Sequence, residues 1–186
     1  YGDEFVRLMR KEGVGIGAVR RSVKMPTGGG FIIKDHNGNN IISVDMGANS
    51  LLDSFDIDRA QSLLDQADVV LAQLEVPLES ALYGLARAKH SGARTVLNPA
   101  PGRDLTECDL SMVDVLTPNS TEVRVCTGQN PDADIDELEA CSRLRSLGCR
   151  SVVLTRGEGG ALLVDGNGML EIEAREISVV DTNGAG

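Results

Sequence analysis

Aromatic residues, positive charge and long apolar runs are all scarce in this chain of 186 residues. It has no tryptophan, two tyrosines and three phenylalanines, too few rings for a base-stacking surface that binds single-stranded nucleic acid. The chain has 18 Lys and Arg residues but 28 Asp and Glu residues, and the resulting formal net charge of −10 would repel a phosphate backbone. No apolar run approaches the roughly 20 residues that a membrane helix needs. We therefore expect a soluble protein that binds neither nucleic acid nor membrane.

Cysteine and histidine, the usual zinc ligands, are also few. The cysteines form no C-x-x-C pair and lie far in sequence from the histidines. They are Cys108, Cys126, Cys141 and Cys149, and the histidines are His36 and His90. We therefore expect no zinc site, and free thiols in a reducing compartment.

The two ends of the chain are unusual for a complete protein. It begins at Tyr1, without a methionine and inside an amphipathic pattern, and stops at Gly186 inside a Gly/Ala turn. We therefore interpret 1–186 as an internal fragment, part of one domain. The absence of a signal-peptide pattern favours a cytoplasmic location, although a missing start would hide an organellar targeting segment.

From residue 56 onward, strand patterns alternate with helix patterns. Apolar strands are predicted at 69–74, 95–97, 113–116, 151–155 and 161–164, with further strands near 169–174 and 177–180. Helices are predicted over 56–67, from Pro77 onward, and over 121–126 and 136–147. This alternation predicts an α/β fold, a doubly wound and mostly parallel sheet covered on both faces.

The first 50 residues follow a different pattern. A helix is predicted over 3–12, with Gly13 as its stop. Two strands, 31–35 and 41–44, flank an Asn-Gly turn and predict a hairpin that lies outside the main sheet.

Polar clusters follow five of the predicted strands. They are 73–75, 98–101, 117–119, 155–157 and 181–182. In a doubly wound sheet, ligands bind at the carboxyl ends of the strands. We therefore expect the functional side chains to lie among these clusters.

Each cluster taken alone has a structural and a functional interpretation. Asn119 and Glu122 can form a helix capping box, or serve nucleotide phosphates and a metal-bound water network. The segment 155–160 can be a hairpin-like connection or a loop that cradles a nucleotide. Glu75 can cap the turn at Pro77 or accept a hydrogen bond from a hydroxyl group. The turn 184–186 can be an ordinary tight turn or an anion site.

The clusters occur together in a recognisable order. The motifs are Gly47-Ala-Asn49, Gln73-Leu-Glu-Val-Pro-Leu-Glu-Ser80, Asn98-Pro-Ala-Pro101, Thr117-Pro-Asn-Ser-Thr-Glu122 with Thr127-Gly128, and Asp181-Thr-Asn-Gly-Ala-Gly186. In this order and spacing the chain resembles the ribokinase branch of the ribokinase/phosphofructokinase-B carbohydrate kinases over essentially its full length. Independent turns would not fall in this order, so the joint occurrence favours the functional interpretations.

The resemblance implies a ribokinase-like α/β domain with a small β lid at about 26–48, which covers the sugar and forms a homodimer interface. It also implies ATP-dependent phosphorylation of a sugar hydroxyl, the 5-hydroxyl of D-ribose, to give ribose 5-phosphate. The alternatives are a fructokinase, adenosine kinase or ketodeoxygluconate kinase of the same family, or a catalytically dead paralogue that acts as a binding subunit.

The resemblance also assigns roles to residues. Glu75 matches the acidic residue that binds the sugar, Asn119 serves the ATP phosphates, and Glu122 serves Mg²⁺ indirectly. The loop that contacts ATP matches Thr155, Arg156, Gly157, Glu158, Gly159 and Gly160. An anion hole for the transferring phosphate matches Gly184, Ala185 and Gly186. A monovalent cation, usually K⁺, binds near Asp181 and the backbone of Asn183.

Some parts of the family pattern are absent. The family's catalytic aspartate, which takes the proton from the sugar hydroxyl, comes directly after the Gly-Ala-Gly turn, and this chain stops at Gly186. The upstream Gly-Gly and Asn sugar motif and the adenine-side helices are also missing. We therefore expect residues 1–186 alone to be inactive and the complete gene product to be a kinase.

Overall fold

The computed structural model describes residues 1–34 and 40–175, which fall into two units, Tyr1–Pro101 and Gly102–Gly186. Among the described residues, no helix is long and apolar enough to cross a membrane.

The first unit opens with a helix and a hairpin. Helix α1 spans Gly2–Lys11, with acidic residues in its first turn and basic residues in its last, as the helix dipole favours. Strands β1 (Thr27–Lys34) and β2 (Asn40–Gly47) are antiparallel, with Thr27 opposite Gly47. The hairpin lies where the sequence predicts it, and the predicted Asn-Gly turn falls outside the described residues. Gly47 has a φ of +47° and no room for a Cβ, which only glycine satisfies.

The predicted helix over 56–67 is wrong, because the structure has two shorter helices there. A 3₁₀ turn at Ala48–Leu51 is followed by α2 (Ser54–Arg59) and α3 (Gln61–Leu64). The carboxylate of Asp53 accepts a hydrogen bond from the backbone of Asp56, so α2 begins before the apolar pattern does. After Ala60, the side-chain amide of Gln61 donates to Asp65 four residues on and to Ser91 at the end of α4, and these contacts hold the second helix.

A β–α–β unit forms the rest of the first unit. Strands β3 (Val69–Gln73) and β4 (Arg94–Asn98) are parallel and joined by helix α4 (Leu78–His90). Leu74, Ala81, Leu85, Ala88 and Leu97 are buried and form the core here. Val69 and Leu71 are 57% and 67% exposed, so among the described residues β3 is not covered on both faces as the apolar pattern predicts.

The described part of the second unit has parallel and antiparallel strand pairings. Strand β5 (Val115–Leu116) runs parallel to β6 (Ser151–Thr155), and helices α5 (Ser120–Cys126) and α6 (Glu137–Ser146) lie between them in sequence. Strands β7 (Ala161–Asp165) and β8 (Gly168–Ile172) continue the pairing antiparallel. The buried side chains include Leu105, Leu110, Val113, Leu116, Val123, Leu144, Val152, Leu154 and Leu162.

The α/β class is confirmed, and the antiparallel pairings have a simple cause. The connections after β6 and β7 are too short for the crossover of a dozen residues that a parallel pair requires. The β-strand predicted at 177–180 falls outside the described residues.

Candidate active site

The start of α5 is built by a capping box. The Oδ1 atom of Asn119 accepts hydrogen bonds from the backbone N–H of Thr121 at 2.9 Å and of Glu122 at 2.8 Å. In return, the backbone N–H of Asn119 donates to Oε2 of Glu122 at 2.9 Å. The structural interpretation of this motif is therefore correct. The cap leaves a further function open, because the Nδ2 group of Asn119 still has two hydrogen-bond donors.

Glu122 is a half-buried carboxylate. Burial raises its pKa, and the hydrogen bond from the Asn119 backbone lowers it by a smaller amount. A carboxylate in this environment has hard oxygen atoms of the kind that Mg²⁺ prefers, directly or through water. Among the described residues, no group of three or more His, Cys, Asp or Glu side chains is arranged to hold a metal ion, so a metal here would need ligands from water or substrate.

Asn119, three residues after β5, lies beside Thr155, the last residue of the parallel strand β6. They form an isolated parallel bridge, in which the backbone N–H of Thr155 donates to the carbonyl of Pro118 at 3.0 Å. The parallel direction of β5 and β6 brings both carboxyl ends to the same edge. Two segments that the sequence predicts to serve ATP, 119–122 and 155–160, are therefore adjacent.

The segment 155–160 is a tight connection between β6 and β7. Gly157–Gly159 form one 3₁₀ turn, and the backbone N–H of Arg156 donates to the carbonyl of Gly160 at 2.8 Å. Gly160 has a φ of +77°, and a Cβ there would lie 2.0 Å from the carbonyl oxygen of Ile172. The hairpin interpretation of this segment is thus correct, while Thr155 and Gly157–Gly159 remain exposed.

The side chain of Arg156 is engaged within the protein. Its Nε atom lies 3.1 Å from Oε2 of Glu137, and both Nη atoms lie 3.3 Å from Oε1 of Glu171. The family resemblance places Arg156 in the loop that contacts ATP, and nothing in the sequence singles out Glu137 or Glu171. No motif marks these two carboxylates, because their relation to Arg156 arises only from the packing of α6 and β8.

Glu75 belongs to the first unit, two residues after β3. It is half-buried and lines a cavity of about 310 Å³, which is mostly apolar and whose other polar lining residues are Asn49, Gln73 and Ser80. The backbone N–H of Leu74 donates to the carbonyl of Ala100 at 2.9 Å, which joins the segments that follow β3 and β4. The cavity thus collects residues from two sequence motifs, Gly47-Ala-Asn49 and the string that begins at Gln73.

The remaining predicted site residues are Asp181, Asn183, Gly184, Ala185 and Gly186, and they fall outside the described residues. Their predicted roles in K⁺ binding and in the anion hole stay predictions.

Comparison with known proteins gives consistent results. The family model of the pfkB family carbohydrate kinases matches residues 1–186. The ribokinase of Staphylococcus aureus (strain COL) is 33% identical over 166 residues, which cover 89% of this chain and 55% of that protein. The deoxyribokinase of Salmonella typhi is also 33% identical, over 190 residues that cover 100% of this chain and 61% of that protein.

Two solved structures are similar across nearly the whole chain. The ribokinase of Thermotoga maritima superposes with a TM-score of 0.82 at 29% identity and covers 100% of this chain and 60% of its own. The ribokinase of Arabidopsis thaliana, complexed with ribose and ATP, superposes with a TM-score of 0.73 at 25% identity. The match covers 93% of this chain and 57% of the Arabidopsis chain. The chain thus spans 55% to 61% of the length of these relatives.

Proposed function

Since the chain belongs to the pfkB family of carbohydrate kinases, we propose that it serves the transfer of a phosphoryl group from ATP to a sugar hydroxyl. The observation that carries this proposal is the adjacency of Asn119 and Thr155 at neighbouring strand ends. Phosphoryl transfer depends on positioning and charge stabilisation more than on covalent chemistry. A rigid pair of segments at a sheet edge supplies that positioning.

The acceptor that we propose is D-ribose, phosphorylated on its 5-hydroxyl to give ribose 5-phosphate. Glu75 would accept a hydrogen bond from a sugar hydroxyl, since it lies in a cavity after β3. The ribokinase relatives support ribose. Deoxyribose is the second candidate, because a deoxyribokinase is equally similar in sequence. The two sugars differ by one hydroxyl, and a buried polar group that pairs with it would separate them strongly.

The nucleotide site that we propose consists of Asn119 and the loop from Thr155 to Gly160. The Oδ1 atom of Asn119 is occupied by the capping box, so its Nδ2 group is the part able to donate to a phosphate. Arg156 would act on the loop and not on the phosphates, because Glu137 and Glu171 already hold its guanidinium.

We propose that Mg²⁺ accompanies ATP and that Glu122 serves it through water. The half-buried carboxylate beside Asn119 fits such a role. A monovalent cation near Asp181 and Asn183 remains part of the proposal on sequence grounds.

We also propose that the β1–β2 hairpin covers the sugar and pairs with a second copy in a homodimer. Phe31, Ile32 and Ile33 on β1 are more than half exposed, which supports an interface there. A cytoplasmic location completes the proposal.

The proposed function is tested with the product of the complete gene and ATP. We expect the highest kcat/KM with ribose, a lower value with 2-deoxyribose, and much lower values with fructose, adenosine and 2-keto-3-deoxygluconate. A preference for one of the other acceptors would overturn the assignment of ribose as the substrate but would leave the proposed kinase activity intact. Sugar binding without turnover of any acceptor would instead support a catalytically dead binding subunit.

A further inference from the structure

A chain of polar contacts runs through one carboxylate that no motif marks. Oγ of Ser120 donates to Oε1 of Glu137 at 3.0 Å. Ser120 is the first residue of α5 and directly follows Asn119. One oxygen of Glu137 is therefore bound to the start of the capped helix.

The other oxygen of Glu137 faces the loop between β6 and β7. Its Oε2 atom lies 3.1 Å from Nε of Arg156, the residue that directly follows Thr155. The backbone N–H of Arg156 also closes the loop by donating to Gly160 at 2.8 Å. Glu137 thus contacts both segments of the proposed nucleotide site through their neighbours, Ser120 and Arg156.

Burial distinguishes the two carboxylates that hold Arg156. The side chains of Arg156 and Glu137 are 21% and 27% exposed, whereas Glu171 is 64% exposed. Water screens an exposed ion pair strongly and a half-buried one less, so the attraction between Arg156 and Glu137 is the less screened of the two, while the hydrogen bonds of the guanidinium go to Glu171. Without it, the guanidinium would be paired only with the exposed carboxylate of Glu171.

We propose that Glu137 is a positioning residue that holds the start of α5 and the 155–160 loop in one fixed arrangement and so sets the affinity for ATP. This inference rests on the proposed function, because it takes these two segments as the nucleotide site. Both oxygens of Glu137 already contact side chains of the protein, so its role here is to position the two segments. Its charge is offset by Arg156, which keeps a carboxylate near the phosphates from repelling them.

The test uses the complete gene product and the Glu137→Gln variant, with Glu139→Gln as the matched control. Glu139 lies on the same helix and is exposed. We expect Glu137→Gln to raise the KM for ATP about three- to tenfold, the range for loss of a partly screened ion pair. The KM for the sugar should stay unchanged, and Glu139→Gln should match the wild type in both constants.

Two further variants separate positioning from general damage. Ser120→Ala removes only one hydrogen bond and should raise the KM for ATP about twofold, which keeps the test valid if Glu137→Gln folds poorly. In a double-mutant cycle, Glu137→Gln and Arg156→Gln should be non-additive, because each breaks the same contact.

Three results would overturn the inference alone. They are an unchanged KM for ATP in Glu137→Gln, equal increases in both KM values, and additive effects in the cycle. A wild type without ATP-dependent kinase activity would overturn the proposed function itself, and this inference with it.

Discussion

Thr155 and Asn119 are joined across the ends of two parallel strands, with the backbone N–H of Thr155 donating to the carbonyl of Pro118 at 3.0 Å. The bridge lies three residues beyond Leu116 and Val152, the last pair of β5 and β6. As a result, the capping residue of α5 and the first residue of the glycine-rich loop have a fixed separation. Any ligand that contacts both segments meets a rigid surface.

The two functions of Asn119, capping and phosphate binding, can be separated by substitution. Serine is an equally good cap and forms the same box with Glu122, but it lacks the Nδ2 donors. Asn119→Ser should keep the free energy of unfolding within about 0.5 kcal/mol and raise the KM for ATP about tenfold. Asn119→Ala should raise the KM for ATP as much as Asn119→Ser does, and should also lower the free energy of unfolding by about 1 kcal/mol. Urea unfolding and steady-state kinetics measure both effects, and a normal KM for ATP in Asn119→Ser would remove Asn119 from the nucleotide site.

Glu75 should affect the sugar and not the nucleotide. Loss of a charged hydrogen bond costs roughly 1.5–3 kcal/mol, so Glu75→Ala should raise the KM for ribose about tenfold or more. The KM for ATP should change little. Glu79→Ala is the control, because Glu79 lies nearby in α4 and is exposed. Equal effects on both substrates in initial-rate assays would contradict the assignment of Glu75 to the sugar.

Glu122 should make stability depend on pH in a defined direction. Burial raises its pKa in the folded state, so the folded protein holds this proton more tightly than the unfolded chain. The contribution of Glu122 to stability therefore falls as pH rises through the ordinary glutamate value of about 4.3 towards the raised value. Glutamine keeps the capping box and does not titrate.

The corresponding experiment is a series of melting curves without Mg²⁺ from acid to neutral pH. The Tm of Glu122→Gln, relative to the wild type, should increase as the pH rises, whereas the exposed control Glu139→Gln should show no such trend. A relative Tm that decreases with pH would mean that the Glu122 carboxylate is stabilised in the folded state.

The loop between β6 and β7 should not tolerate a side chain at its last residue. Alanine at Gly160 would combine a left-handed φ with a Cβ that lies 2.0 Å from the carbonyl of Ile172. The left-handed conformation alone costs about 1–2 kcal/mol, and the overlap adds to it. Gly166→Ala is the control, because the nearest atom to the new Cβ would lie 3.8 Å away. Its free energy of unfolding in urea should differ from the wild type by no more than about 0.5 kcal/mol. Equal stabilities of the two variants would show that the loop relaxes around the new methyl group.

The sequence predicts the local parts of this site well. The cap at Asn119, the strand end before Glu75 and the glycines after Thr155 are signals within a few residues of one another, and the structure places each where its pattern predicts. The motifs also identify the family, because several short signals occur in one order. The notable failure is the helix over 56–67, where the cap at Asp53 and the polar contacts of Gln61 override the apolar spacing.

The sequence does not predict the partners of Arg156. The resemblance places Arg156 in the loop that contacts ATP, and in the structure Glu137 and Glu171 approach its side chain from α6 and β8. Both partners lie more than a dozen residues away, so their pairing depends on tertiary packing and leaves no local pattern.

The most direct test of the account is the identity of the product that forms from ATP and ribose. The purified product of the complete gene should convert the two substrates to ADP and ribose 5-phosphate in equal amounts, observed by phosphorus NMR. Release of inorganic phosphate without a sugar phosphate, or phosphorylation at a different hydroxyl, would contradict it.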